Sequence, residues 1–74
     1  MITELVITGN EKELVKRFKM RGFNLSNNKF IMERIVKNEI NADEVILEKI
    51  DYHTSKMFSV KDDSYSLHFK CLSK

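Results

Sequence analysis

Four side chains in the C-terminal half, Asp51, His53, His68 and Cys71, are of the types that ligate metals or perform nucleophilic chemistry. His68-x-x-Cys71 has the spacing of half a zinc motif. On a strand, residues three apart differ in parity and point to opposite faces, so these two cannot share an ion there. No second Cys/His pair stands at ligand spacing. The same parity removes His68 as a base for the Cys71 thiol and leaves only His53. The serines lack a Gly-x-Ser-x-Gly elbow, and two glycines are too few for a phosphate-cradling loop. Asp62 and Asp63 are adjacent carboxylates in a stretch that reads as a turn, where aspartate is favoured for backbone reasons alone. An active site needs more roles filled than these residues can fill. The expectation is a protein that is not an enzyme and holds neither metal nor cofactor.

Binding chemistry is better represented. Lys12, Lys16 and Lys19 fall along one flank of a helical wheel and Arg17 and Arg21 along another, so these five are candidate phosphate contacts for a nucleic acid. Against that, lysines at helical spacing commonly form a solvated face, and a net charge of +2 is small for a dedicated nucleic-acid binder. Phe58, Tyr65 and Phe69 share a strand face, but in inward alternation such aromatics read as core before they read as a base-stacking platform. Charge is unevenly distributed. Between residues 10 and 37 eight basic residues face three acidic ones, and between 38 and 63 seven acidic residues face three basic ones.

These groups must be positioned by a small scaffold. A chain of 74 residues has room for one domain, 1–74, and buries about 60 to 65 % of the surface its unfolded form exposes. A lone cysteine closes no internal disulfide, which fits a reducing compartment. The acidic opening Met1-Ile2-Thr3-Glu4 does not resemble a signal peptide, and no segment approaches the ~20 apolar residues of a membrane span. A cytoplasmic protein without membrane contact is expected. Abundant Lys, Asn and Ile with no proline fit AT-rich coding, as in a low-GC bacterium or a phage.

Residues 2–8 are rich in β-branched types and read as a strand. Asn10 with Glu13 forms a capping-box pattern, and Leu14, Val15 and Phe18 make an apolar stripe. Gly22 then supplies a stop and Phe23 a return contact on Phe18. The spacing predicts a helix over 11–21. Residues 29–40 scatter Phe30, Ile31, Met32, Ile35, Val36 and Ile40 around a helical wheel, so a strand is predicted there, with a helix capped by Ser26 as the competing reading. Val45 to Tyr52 continues as a strand, and residues 56–61 and 64–72 read as a hairpin turning at Asp62-Asp63. The predicted fold is α+β: one N-terminal helix packed on an antiparallel sheet of four to five strands, in the order β-α-β-β-β-β.

In that arrangement residues 29–40 and 44–53 pair with Ile35 opposite Ile50. One face of the ribbon shows Phe30, Met32, Val36, Ile40, Val45 and Leu47, and the other shows Ile31, Ile35, Ile46, Ile50 and Tyr52. A helix of 11 residues is about 16 Å long and covers one face only. The second set is therefore the expected protein-interaction face, covered by a partner or by a second copy. The functional expectation is a small protein-binding or regulatory module, such as a phage- or mobile-element-encoded inhibitor, that self-associates through this hairpin. A nucleic-acid-binding regulator using helix 11–21 is the alternative.

Overall fold

The computed structural model describes residues 2–72. Strand β1 (Ile2–Gly9) leads into helix α1 (Glu11–Phe18), then helix α2 (Leu25–Ile40), strand β2 (Glu44–Met57) and strand β3 (Val60–Leu72). The three strands form one antiparallel sheet in the order β1-β3-β2. Two helices and three strands in the order β-α-α-β-β replace the predicted single helix on four to five strands.

Helix α1 starts where the capping box places it. The Glu13 amide donates to Asn10 Oδ1 at 2.8 Å, and the Asn10 amide donates back to Glu13 Oε2 at 3.3 Å. It ends at Phe18, a turn earlier than the predicted 11–21. Lys19 takes the left-handed conformation expected of Gly22, with φ 55°, and the Met20 amide donates to the Val15 carbonyl at 2.9 Å. The early stop lets Met20 turn into the core and sends Phe23 onto Tyr65, ring to ring at 4.6 Å.

The largest correction is residues 29–40, which are helix and not strand. Leu25, Met32, Ile35 and Val36 make the stripe that meets the sheet, with Met32 and Val36 fully buried. Phe30 and Ile40 lie outside it and face solvent, Phe30 being 82 % exposed. Those two apolar residues hid the helical period. The N-cap position is Asn24 and not Ser26: the Asn28 amide donates to the Asn24 carbonyl at 3.0 Å, while the Asn24 side chain accepts from the Ser26 hydroxyl at 2.8 Å and caps no helix amide. With residues 29–40 helical, the ribbon of residues 29–53 and its second apolar face do not form.

Strands β2 and β3 make one long hairpin that turns at Phe58-Ser59, not at Asp62-Asp63. The core fixes this register. It sets Val45 against Cys71, Leu47 against Phe69 and Ile50 against Leu67. A turn at residues 62–63 would place Lys56 against Phe69 and Thr54 against Cys71. Aspartate's local preference for turns loses to that difference, since burying one large apolar side chain stabilises by about 1.5–3 kcal/mol. Both helices pack on the sheet face that carries Ile7, Leu47, Leu67, Phe69 and Cys71. The opposite face, with Val6, Ile46, Asp51, His68 and Lys70, is open.

Candidate interaction surface

Strand β1 ends opposite Tyr65, with Gly9 as that residue's partner. Beyond this point β2 and β3 continue alone, from the pair His53–Ser64 to the pair Met57–Val60. This two-stranded arm gives the molecule its length, 47 Å against 24 Å and 18 Å in the other directions. Its root is anchored. Tyr52 packs on Tyr65 at 5.2 Å between ring centroids, and the Thr54 hydroxyl donates to Asp63 Oδ1 at 2.6 Å. That bond holds the Asp63 carboxyl below its usual range, and Asp63 in turn pushes the Tyr52 hydroxyl above 10.0.

The tip is apolar and unprotected. Phe58 is 93 % exposed, Met57 70 % and Val60 65 %. Phe58 and Ser59 both have positive φ, 51° and 66°. A two-residue hairpin loop of that kind favours Asn-Gly, because a side chain with a Cβ crowds its own backbone there. Lys56 stands directly opposite Lys61 beside the tip, a like-charge pair that weakens the ribbon. Turn chemistry, cross-strand charge and exposure thus all run against what a stable isolated hairpin needs.

The open face of the sheet has a polar centre and an apolar end. His68 Nε2 lies 2.8 Å from Asp51 Oδ2, and Lys49 Nζ lies 3.3 Å from Asp51 Oδ1. Desolvation raises the Asp51 carboxyl, but the hydrogen bonds from His68 and Lys49 outweigh it and leave the group below its usual range. Cys71 is on the helix-covered face, where burial pushes its thiol up. His68 and Cys71 therefore face opposite ways, and His53 is out on the arm opposite Ser64. Among the described residues no cluster of three His, Cys, Asp or Glu side chains is placed to hold a metal ion.

The predicted interaction face is not assembled as one surface. Ile35 and Ile50 are partly buried against the core. Ile31 is half-buried on α2, Tyr52 packs on Tyr65 at the arm's root, and Ile46 is exposed on the other side of the sheet. The five predicted phosphate contacts are divided as well. Lys12 and Lys16 are exposed on α1, Lys19 is the residue that ends it, and Arg21 lies in the loop beyond. Arg17 is engaged by Glu39 of α2, Nη2 to Oε2 at 2.8 Å. Because 29–40 is helical, Lys29, Arg34 and Lys37 join the same layer, whose residues 11–40 hold eight basic and four acidic side chains.

Sequence reasoning passed over the tip residues. Their signal was Lys56-Met57-Phe58-Ser59-Val60-Lys61, an apolar centre bracketed by lysines in the middle of a long alternating run. No helix among the described residues is long and apolar enough to cross a membrane. No family model, curated protein or solved structure matches the chain. The functional reading accordingly rests on the surface itself.

Proposed function

We propose that this chain is a small, non-enzymatic protein-binding module that docks through the tip of its β-arm. The observation that carries the reading is Phe58: a large aromatic side chain, 93 % exposed, at a left-handed turn position that disfavours it. Strained residues and bare apolar groups persist where something other than folding uses them. Met57, Phe58 and Val60 are the anchor, of a size that suits a partner's apolar pocket. Lys56 and Lys61 beside them favour a pocket with carboxylates at its rim.

A second reading is carried by a separate observation, the excess of positive charge on the helical layer. In it, Lys12, Lys16 and Lys19 contact a phosphate backbone. The arm adds nothing to this reading, because Asp62 and Asp63 offset the charge of Lys56 and Lys61.

One experiment separates the two. A triple variant of the tip, Met57→Ser with Phe58→Ser and Val60→Ser, and a triple variant of the helix, Lys12→Glu with Lys16→Glu and Lys19→Glu, are each compared with the wild type. Capture of protein from the native host and binding of a duplex DNA at low salt are measured in parallel. Protein capture abolished by the tip variant and kept by the helix variant is the expected result. Salt-sensitive duplex binding lost only in the helix variant, without tip-dependent capture, would replace the first reading with the second.

A further inference from the structure

The two edges of the sheet are unlike each other, and the difference concerns β1. The β2 edge is defended: a bulge between Leu47 and Lys49 interrupts its ladder, and the Leu47 amide donates to Glu33 Oε2 at 2.7 Å. Bulges, charges and covering groups are how sheets prevent edge-to-edge pairing. Among the described residues the β1 edge has no bulge and only a single charge. Its register with β3 is unbroken from Ile2 to Gly9, and it contains no proline, no basic residue and one charge, Glu4.

We infer that β1 pairs with β1 of a second copy of this chain, antiparallel about a two-fold axis normal to the sheet at Val6. The sequence is self-complementary in that register. Val6 meets the second copy's Val6 on the open face, where this residue is 49 % exposed. Leu5 meets Ile7 on the helix side, and Glu4 meets Thr8, so no carboxylate opposes another. Centring the axis on Glu4 would oppose the two carboxylates, and centring it on Leu5 would set Glu4 against Val6. A groove of about 260 Å³ runs beside the edge on the helix side, lined by Thr3, Glu4, Leu5, Cys71 and the exposed Ile40. The second copy's Ile7, opposite Leu5 in this register, lies along this groove in the assembled pair. The outcome is a continuous six-stranded sheet with all four helices on one face and both arms free. This interface is separate from the arm and stands whether or not the arm binds a protein.

The test is the mass of the full chain in solution by sedimentation equilibrium, from micromolar to submillimolar concentration. The wild type is expected at twice the 8.8 kDa of one chain at the upper end. Val6→Lys and Val6→Glu each oppose like charges across the axis and are expected to run as monomers, with unchanged far-UV circular dichroism. Mixed in equal amounts, they are expected to recover the dimer. Should either variant fail to fold, amide exchange of the wild type decides: residues 3–9 gain protection as concentration rises. A wild type that stays monomeric throughout overturns the inference. So does a dimer that survives Val6→Lys, or one dispersed by Phe58→Ser alone.

Discussion

Leu47 and Ile50 point to the same side of the sheet although they lie three positions apart along β2. A regular strand would send them to opposite faces. The bulge between Leu47 and Lys49 absorbs one residue, so that Leu47 faces Phe69 and Ile50 faces Leu67 on adjacent core positions of β3. Glu33, reaching from α2 to the Leu47 amide at 2.7 Å, stabilises the irregularity.

Glu33→Ala should therefore destabilise the fold although it removes no apolar contact. A half-buried amide loses its charged acceptor, at a cost of about 1–3 kcal/mol, and Tm falls by about 4–8 °C per kcal/mol in a domain of this size. Glu33→Gln keeps an acceptor and should lose less. Thermal unfolding of both variants checks this, and equal melting temperatures for all three proteins would contradict the proposed role of Glu33.

The first helix could be read from the sequence because every local signal for its start was a backbone requirement: Asn10 and Glu13 satisfy named amides whatever packs nearby. The second helix could not, because its identity depends on which apolar residues are covered. Phe30 and Ile40 are bare, and only the three-dimensional arrangement reveals that they are not part of the buried stripe. The bulge was equally invisible. It reverses strand parity at Glu48, so Val45, Leu47 and Ile50 share the core face despite their spacing, while Ile46 alone of the apolar residues 45–50 stays on the open face. The exposed tip is hidden for a related reason: Asp62-Asp63 are the residues that best suit a turn, while the core register puts Phe58 and Ser59 there.

Phe30 and Met32 test the helical assignment directly. On a strand these two would share a face, whereas on α2 they lie about 160° apart at 100° per residue. Phe30→Ser should change stability by no more than about 0.5 kcal/mol, as surface substitutions do. Met32→Ala should cost about 2–5 kcal/mol through the cavity it leaves. Denaturant unfolding of the two variants distinguishes the arrangements, since comparable losses at both positions would fit a shared buried face.

Asp51 and Asp63 couple stability to pH. Each has its carboxyl lowered from 3.8 in the folded chain, Asp51 by the hydrogen bonds from His68 and Lys49 and Asp63 chiefly by that from Thr54. A lowered folded-state value means that the stabilisation is present above the unfolded value and disappears as pH falls through the folded one. Melting temperatures should therefore fall below about pH 4. In Asp51→Asn and Asp63→Asn that fall should be shallower. Both carboxylates are solvent-accessible, so added salt should reduce the difference between wild type and variants.

The arm's turn sets stability against binding. Replacing Phe58-Ser59 by Asn-Gly gives both positive-φ positions the residues that such loops favour. Relief of backbone strain should stabilise the chain by about 1 kcal/mol, unless the melting unit does not include the arm, in which case amide exchange of residues 53–64 should slow while Tm stays fixed. Partner capture should fall, because the aromatic anchor is gone while Met57 and Val60 keep their places. A fold selected for stability alone would have little reason to keep phenylalanine at φ 51° in water. If the Asn-Gly variant is more stable and binds equally well, the aromatic is incidental and the contact surface lies elsewhere. If it is more stable and no longer binds, the strain at Phe58 is the cost of presenting that ring to a partner.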